Sequence, residues 1–581
     1  MNRFFLNLEP CEAVDIEKVC GLSRLACGTK LRFDGRFKAV YGFGERFDAL
    51  NQIGRERLIQ VVETFTNQGG DTYLPAPFCL TDAGFGLYLD TKKVISISTE
   101  QNRDSSSFLA KQIPDGTDLH FFHGAPPDLL DYYTRLLGRP KLPPDWAFGL
   151  WMSANRWNSQ TLVEQQIDRA IELGMKPSVA VIEAWSDETT FYRFDPERFP
   201  DPDGMIRRMH DKGIKCILWQ IPVLKKTDEG ESCPEHDEDC AYAVEQGYVV
   251  HNPDGTPYTI PEGRWFGGSM IPDFSNPAAC DWWFAKRQYL LDMGVDGFKT
   301  DGGEFLHNDL PLFYDGSTGS DMQNGYALAY TQAYTRFIGE GRILFSRAGF
   351  AGSQTTPMHW AGDQESTWEE FRHVLNAGLN VGLSGIPFWG FDIGGFAGKL
   401  PSAELYMRAF AMACFSPVMQ WHSELVGGQF AGRMPSGDKV NDRSPWNIAA
   451  RANSRETLDC CRLYMKEREK ILPYLLRETL FCTRTGRPLM APLFFDAPED
   501  DRARTVTDQY LFGRRLMVAP VLWEKMDRRD IYLPEGEWRD HWTGEIFKGS
   551  RAYSVNCELP YIPVFHLVED DALALVPSRR D

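Results

Sequence analysis

The chain of 581 residues lacks any long apolar segment. No uninterrupted apolar run approaches the ~20 residues that a membrane-spanning helix requires, so we expect no membrane partner. The residues from Met1 to Leu6 are followed by acidic residues, and they lack the apolar core and cleavage site of a secretory signal peptide. The sequence therefore predicts a cytoplasmic protein.

Cysteine is present without the spacing of a disulfide framework. The 13 cysteines are an odd number scattered along the chain, which is typical of proteins in a reducing compartment. Cys233, His236 and Cys240 form a candidate metal cluster, but they lie in an acidic, polar loop without a convincing fourth ligand. We therefore do not expect a zinc site there.

Positive charge is in deficit, because 62 Lys and Arg residues face 81 Asp and Glu residues for a net charge of −19. Such a surface repels phosphate backbones and anionic membranes, which argues against a nucleic-acid partner. Internal repeats, low-complexity tracts and a glycine-rich dinucleotide fingerprint after a predicted strand are also missing. A hydrophobic content of 43% and an aromatic content of 13% instead indicate a well-packed globular protein.

Three regions differ in the order of their predicted elements. Residues 1–140 alternate short apolar runs with turn signals and predict an antiparallel β-sandwich. Prolines at 140, 143 and 144 mark a boundary, after which residues 141–480 alternate strands with amphipathic helices. This alternation predicts a (β/α)8 TIM barrel in the α/β class. Residues 481–581 return to short strands and predict a smaller C-terminal β-sandwich domain.

The barrel strands are expected where short apolar runs recur. We place them near residues 147–152, 178–183, 214–221, 297–300, 342–347, 359–361, 381–384 and 417–419, with helices near 159–173, 202–212 and 277–293.

Polar and aromatic side chains follow several of these strands. Asp301 ends a short buried strand and precedes two glycines that would let a substrate approach the backbone. An Asp that only caps the next helix is the structural alternative. At the ends of other strands stand Glu183, Trp185, Asp187, Trp219, Lys299, Arg347, Trp360, Asp363, Trp389, Asp392, Trp421 and His422. Converging on one rim, they would form the acidic and aromatic pocket of a sugar site.

Glycoside hydrolysis requires one ionised and one protonated carboxyl group. Lys299 stands two residues before Asp301, and a contact between them would hold the pKa of Asp301 down. Asp363 follows an aromatic strand end, where apolar walls and a nearby anion would raise the pKa of its carboxyl group. Asp301 is therefore the candidate nucleophile, Asp363 is the candidate acid, and Glu304 is expected to support the turn.

The chain resembles glycoside hydrolase family 31, the retaining α-glycosidases, from about residue 41 to about residue 560. The resemblance rests on Gly-Phe-Gly-Glu-Arg-Phe at 42–47, Phe-Asp-Pro-Glu-Arg-Phe-Pro-Asp-Pro at 194–202, Asp-Phe-Ser-Asn-Pro at 273–277, Phe-Lys-Thr-Asp at 298–301, Trp-Ala-Gly-Asp at 360–363, and the blocks 382–385 and 391–396. In the first block, Arg46 is a candidate for pairing with a neighbouring domain.

This resemblance implies a nucleophilic Asp301, an acid/base Asp363, and a double displacement with retention that needs no metal or organic cofactor. It further implies that Lys299, Trp219, Arg347 and His422 bind the sugar and that Trp265 forms a wall. Glu183 and Trp360 complete the expected substrate-binding residues, and Asp392 supports them. The expected partner is a small carbohydrate, and a homo-oligomer is possible because oligomers are common among relatives.

The sugar is less closely defined than the reaction. Glu183 stands where many family members have Asp, and the loop of residues 153–157 lacks the phenylalanine of the α-xylosidase-like branch, which the chain otherwise resembles at 194–202 and 299–301. Residues 347–364 resemble the sulfoquinovosidase branch. We therefore expect an exo-acting α-glucosidase or α-xylosidase. An α-galactosidase, another modified-sugar glycosidase of sulfoquinovosidase type, and a non-catalytic sugar-binding barrel are the alternatives.

Overall fold

The computed structural model describes residues 5–9, 14–15, 21–24 and 30–568, apart from 102–105, 115, 154–156, 229–230, 232 and 423–441. Asn155 and Arg156, in the loop that was expected to bear on sugar choice, lie outside the described residues.

The N-terminal region contains two antiparallel sheets, with strand orders β2-β1-β4-β10-β9-β6 and β3-β11-β8-β7-β5. The strands are β1 Phe5–Glu9, β2 Val14–Asp15, β3 Gly21–Arg24, β4 Lys30–Gly35, β5 Val40–Gly44, β6 Glu56–Ile59, β7 Pro75–Thr81, β8 Phe85–Asp90, β9 Ile95–Gln101, β10 Ser106–Lys111 and β11 Asp118–His123. Helix α1, Pro126–Leu137, follows.

The middle of the chain forms an eight-stranded parallel sheet in the order β18-β17-β16-β15-β14-β13-β12-β19. Its strands are β12 Leu150–Ser153, β13 Val179–Ile182, β14 Lys215–Gln220, β15 Gly297–Thr300, β16 Ile343–Ser346, β17 Met358–Trp360, β18 Trp389–Gly390 and β19 Met419–His422. Between β18 and β19, backbone N–H groups of Val418 and Ile393 donate to the carbonyl oxygens of Trp389 and Gln420, at 3.2 and 3.0 Å. The sheet is therefore a nearly closed barrel, and the predicted fold class is confirmed.

Helices surround the barrel and continue to its C-terminal side. They are α2 Gln160–Glu172, α3 Pro202–Asp211, α4 Pro234–Glu245, α5 Pro277–Ala285, α6 Gln288–Asp292, α7 Gly319–Met322, α8 Gly325–Ile338, α9 Trp368–Gly382, α10 Ala403–Cys414, α11 Pro445–Ala452 and α12 Arg455–Thr485. Side-chain oxygens of Ser159, Asp201, Asn276 and Thr367 accept backbone N–H groups of the first turns of α2, α3, α5 and α9. These caps fix where each helix begins.

The C-terminal region is again antiparallel, with strand orders β20-β21-β22-β27-β24-β25 and β23-β26. Its strands are β20 Met490–Pro492, β21 Tyr510–Phe512, β22 Leu516–Val518, β23 Arg528–Leu533, β24 Glu537–Asp540, β25 Ile546–Lys548, β26 Arg551–Asn556 and β27 Val564–Val568.

Two predicted elements are placed differently by the structure. Residues 381–384, predicted as the seventh barrel strand, lie at and just beyond the end of α9, and the strand is Trp389–Gly390. An apolar run this short fits a buried helix end as well as a strand. The single helix predicted over 277–293 is two helices, α5 and α6, which meet at Lys286 and Arg287.

The segment 42–47 joins the N-terminal region to the barrel. Backbone N–H groups of Gly42 and Gly44 donate to Asn380 Oδ1 at 3.4 Å and to Ser384 Oγ at 2.9 Å. A Cβ on Gly44 would lie 2.0 Å from the carbonyl oxygen of Leu74, so the chain passes too closely there for any other residue. The two glycines therefore allow β5 to dock on α9.

The buried carboxyl group of Glu45 also contacts the barrel across this junction. Its Oε1 accepts a hydrogen bond of 2.6 Å from Trp389 Nε1. Arg46, the residue predicted to pair with a neighbouring domain, donates instead to the carbonyl oxygens of Phe43 and Gly70 within its own region, at 3.0 and 2.8 Å. That prediction is wrong, and the glutamate makes the contact.

Candidate active site

Asp301 directly follows strand β15 and therefore lies at the carboxyl-terminal end of the barrel. TIM-barrel enzymes have their active sites at this end. All four residues of β15 are buried. A Cβ on Gly297 would lie 2.0 Å from the carbonyl oxygen of Ile343, so glycine permits the close pairing of β15 with β16.

The carboxyl group of Asp301 accepts two hydrogen bonds and forms one ion pair. Trp219 Nε1 donates to Oδ2 at 3.0 Å, and the backbone N–H of Gly302 donates to Oδ1 at 2.9 Å. Arg347 Nη1 lies 3.2 Å from the same Oδ1. An ionised carboxylate accepts and cannot donate, so this set of donors suits that form.

The guanidinium group of Arg347 contacts three carboxyl groups. Its Nε and Nη2 each lie 3.2 Å from one of the two carboxylate oxygens of Glu304. Its Nη1 lies 3.2 Å from Asp301 Oδ1 and 3.5 Å from Asp363 Oδ2. The two-point contact with Glu304 fixes the plane of the guanidinium group. Glu304 therefore orients Arg347, which is a more specific arrangement than the predicted support of a turn.

Asp363 follows strand β17 in a turn made by Gly362, whose φ is 82°. The side chain of Asp363 is 12% exposed. Burial raises its pKa to about 8, against the opposing effect of Arg347 and with a further rise from Asp301. A carboxyl group that keeps its proton near neutral pH can serve as a general acid.

Lys299 pairs with the second barrel strand. Its Nζ lies 2.5 Å from Glu183 Oε1 and 4.5 Å from the centre of the Trp360 ring. The predicted contact between Lys299 and Asp301 is therefore wrong, because the ion-pair partner of Asp301 among the described residues is Arg347. Lys299 thus pairs with a residue that follows β13, a strand that does not adjoin β15.

The remaining polar groups lie around this pair. Burial raises the pKa of Glu183 to about 7, opposed by Lys299, and raises that of Asp392 to about 6. Asp392 Oδ1 accepts a hydrogen bond of 2.6 Å from Gln420. His422 lies with its Nδ1 3.6 Å from Glu183 Oε1, and burial lowers its pKa well below the usual value. A neutral imidazole and several carboxyl oxygens therefore lie together here, and such groups can form hydrogen bonds with hydroxyl groups.

Three predicted aromatic residues border the charged groups. Trp219 contacts Asp301, and Trp360 contacts Lys299, as described above. The ring centre of Trp265 lies 5.1 Å from the guanidinium carbon of Arg347. Apolar walls with a few polar groups are typical of ligand sites.

Other strand-end residues lie outside this cluster. Trp185 donates to the carbonyl oxygen of Trp219 at 2.9 Å and has a structural contact there. Asp187 pairs with Arg193 at 2.9 Å. The ring of Trp421 packs against that of Trp446, with centres 5.5 Å apart.

Tyr73 contacts the cluster from the N-terminal region and was not identified from the sequence. The guanidinium carbon of Arg347 lies 4.4 Å from the centre of its ring. A Cβ on Gly362 would lie 2.4 Å from Tyr73 Cε2, so the ring packs directly against the backbone before Asp363. Tyr73 has no strand-end position or motif, so only the fold reveals it.

Cys233, His236 and Cys240, at which no zinc site was expected, lie at the start of and within helix α4 rather than in a loop. No arrangement of three or more His, Cys, Asp or Glu side chains suited to a metal is present in the described part of the chain. His236 Nε2 lies 2.7 Å from the carbonyl oxygen of Lys225. Within the same described ranges, no helix combines the length and apolar character needed to cross a membrane.

Two buried carboxyl groups at the mouth of a TIM barrel, one of them with a raised pKa, are the groups that glycoside hydrolysis requires. Residues 140–478 match the model of the glycosyl hydrolases family 31 TIM-barrel domain, and residues 486–567 match that of the family 31 C-terminal domain. The chain belongs to glycosyl hydrolase family 31, and the resemblance found in the sequence is confirmed.

Curated relatives include a 1,3-alpha-isomaltosidase of Kribbella flavida, 39% identical over 87% of this chain and 73% of the relative. An isomaltosyltransferase of Sporosarcina globispora is 36% identical over 90% of this chain and 50% of the relative. A solved structure of a cycloalternan-degrading enzyme from Trueperella pyogenes with isomaltose has a TM-score of 0.86 and 37% identity, covering 93% of this chain and 81% of that one. The chain thus spans about half the length of the transferase.

Proposed function

We propose that the protein is a retaining α-glycosidase that cleaves α-glucosidic bonds in small oligosaccharides, with Asp301 as nucleophile and Asp363 as acid/base. The observation that carries the proposal is the shared contact with Arg347. One nitrogen, Nη1, lies 3.2 Å from Asp301 Oδ1 and 3.5 Å from Asp363 Oδ2. Two carboxyl groups bound to one nitrogen favour the separation of roughly 5–5.5 Å of retaining enzymes over the roughly 6.5–9.5 Å of inverting ones.

The geometry supports a double displacement. Asp301, oriented by Trp219 and Gly302, attacks the anomeric carbon while Asp363 protonates the departing glycosidic oxygen. Asp363 is then ionised and removes a proton from the incoming water, which breaks the glycosyl ester and returns the proton to Asp363. Arg347 compensates the negative charge that moves between the two carboxyl groups.

The proposed sugar is glucose, and the released unit is glucose or isomaltose. The isomaltosidase and isomaltosyltransferase named above support an isomaltosyl unit. Glu183, Lys299 and His422 form a hydrogen-bonding cluster suited to several hydroxyl groups of one sugar ring. Relatives named alpha-xylosidase, at 30% identity, keep xylosides as the next substrates to test.

Glycosyl transfer is the second candidate activity, and the isomaltosyltransferase is the observation that favours it. Both activities share the covalent intermediate on Asp301. They differ in whether water or a sugar hydroxyl accepts the glycosyl group.

A panel of 4-nitrophenyl α-glycosides and α-linked oligosaccharides tests the proposal. The panel contains α-glycosides of glucose, isomaltose, xylose, galactose and sulfoquinovose. NMR identifies the anomer of the sugar that is released first. We expect release from the glucosides as the α-anomer. First appearance of the β-anomer would contradict retention, and no release from any member would favour a non-catalytic sugar-binding barrel.

Azide separates the roles of the two aspartates. With an activated α-glycoside, Asp363→Ala is expected to form an α-glycosyl azide, because azide attacks the intermediate on Asp301. Asp301→Ala is expected to form a β-glycosyl azide by direct attack on the substrate. Near-normal hydrolysis by either folded variant would show that the assignment is wrong.

A further inference from the structure

Tyr73 is completely buried and contacts the barrel through its ring and its backbone. Its carbonyl oxygen accepts a hydrogen bond of 3.1 Å from the backbone N–H of Gly349, two residues after Arg347. Its hydroxyl group donates to the carbonyl oxygen of Thr64 at 3.0 Å, within its own region. The residue is therefore fixed at both ends, with its ring held against the barrel.

The ring contacts both neighbours of the proposed acid. One is Gly362, whose α-carbon has no room for a methyl group because Tyr73 Cε2 and Cδ2 would lie 2.4 and 3.1 Å away. The other is Arg347, whose guanidinium carbon lies 4.4 Å from the ring centre, and whose Nη1 lies 3.5 Å from Asp363 Oδ2. A cation over an aromatic face is attracted by the ring, and the attraction is stronger where water is excluded.

We propose that Tyr73 is a positioning residue that holds Asp363 in the orientation from which it protonates the leaving group. The ring fixes the backbone before Asp363 and the cation beside its carboxyl group, while its own atoms are buried away from substrate. The N-terminal sandwich thereby completes the catalytic site of the barrel. This inference rests on the proposed acid/base role of Asp363.

The test compares kcat/KM for substrates with different leaving groups. A poor leaving group such as phenolate needs to be protonated as it departs, whereas fluoride needs little protonation. The full-length wild type and its variants are assayed with the α-glycosyl fluoride and the phenyl α-glycoside of the sugar that the wild type accepts. Tyr73→Leu removes the ring, and Tyr73→Met is made as a second variant in case the first does not fold. Tyr73→Phe keeps the ring and removes only the bond to Thr64.

We expect Tyr73→Leu to lower kcat/KM for the phenyl glycoside about tenfold more than for the fluoride, since general acid catalysis as a whole contributes about 10²–10⁴-fold. Tyr73→Phe is expected to keep the wild-type ratio. Tyr41→Leu is the matched control, because Tyr41 is a buried tyrosine of the same region whose ring stacks on Phe494 at 4.1 Å. It is expected to leave the ratio unchanged.

Equal losses on both substrates in Tyr73→Leu, or the same change in ratio in Tyr73→Phe or Tyr41→Leu, would overturn the inference. So would failure of both ring-deleted variants to fold, because the ring would then serve the fold as a whole. Asp363→Ala separates this result from failure of the proposed function. If that variant does not lose the phenyl glycoside selectively, the acid assignment fails; if it does and Tyr73→Leu does not, only the positioning role fails.

Discussion

Lys299 Nζ lies 2.5 Å from Glu183 Oε1, and the two side chains are 4% and 8% exposed. The pair links strand β15, which carries the proposed nucleophile, to strand β13. Because both charges are buried, loss of either one removes the nearest ion-pair partner of the other. We therefore expect Glu183 to stabilise the site, and its place beside Lys299 supports the proposal that it also bears on the sugar accepted.

Glu183→Gln is expected to lower the free energy of unfolding by about 3–5 kcal/mol, because it leaves a buried lysine cation unpaired. Glu183→Asp keeps the charge and shortens the side chain, so we expect a smaller loss of stability and a changed ratio of activity on glucosides and xylosides. Denaturant unfolding and the glycoside panel measure the two effects. An unchanged ratio in Glu183→Asp would contradict the role of this residue in sugar choice.

The pH dependence of activity is expected to follow Asp363. Burial raises its pKa to about 8, and a general acid works only while it holds its proton. We therefore expect kcat/KM for a phenyl glycoside to fall as the pH rises through that value. The glycosyl fluoride needs little acid assistance, so its alkaline decline is expected to be weaker. Identical alkaline limbs for both substrates would argue against this origin of the decline.

Arg347→Lys tests the two-point contact with Glu304. A lysine ammonium group cannot reproduce the planar fork that binds both oxygens of one carboxylate and reaches Asp301 and Asp363 with a third nitrogen. We expect kcat to fall by about 10²-fold, the range in which loss of electrostatic stabilisation falls. Arg336→Lys, on helix α8, is the matched control with no expected effect. Full activity of Arg347→Lys would show that only the charge matters.

The sequence predicted that Asp301 and Asp363 lie close together, because parallel strands bring their carboxyl ends to one rim, and the shared contact with Arg347 confirms that proximity. Their catalytic roles stay predictions. The ion-pair partners of the charged residues were harder to predict from the sequence. Lys299 and Asp301 are two residues apart in sequence, yet each pairs with a residue from another strand. Sequence spacing along a strand does not fix which other strand a long side chain reaches.

Contacts between the N-terminal region and the barrel could not be predicted from the sequence either. Tyr73 reaches the site from a segment that precedes the barrel, and no periodicity or motif marks it. The seventh strand was misplaced because Trp389–Gly390 is only two residues long. The domain boundaries, the cytoplasmic location and the possible homo-oligomer stay predictions.

Glu45 gives the junction between the N-terminal region and the barrel its own pH dependence. Burial raises the pKa of this carboxyl group from the usual 4.5 to about 8, against the opposing effects of Trp389 and Arg46. Between these values the folded protein binds a proton that the unfolded chain releases. The stability that this proton contributes is therefore complete below the unfolded pKa and is lost as the pH rises through about 8.

Glu45→Gln keeps an oxygen for the hydrogen bond from Trp389 and removes this titration. We expect the stability of the wild type relative to the variant to decline with rising pH by up to about 1.4 kcal/mol per pH unit. Denaturant unfolding at acidic, neutral and mildly alkaline pH measures the difference. Glu56→Gln is the matched control, because Glu56 is an exposed glutamate of the same region. A pH-independent difference between wild type and Glu45→Gln would mean that Glu45 is already ionised in the folded protein. The expected slope arises because the buried carboxyl group keeps its proton in the folded protein at a pH at which the unfolded chain has released it.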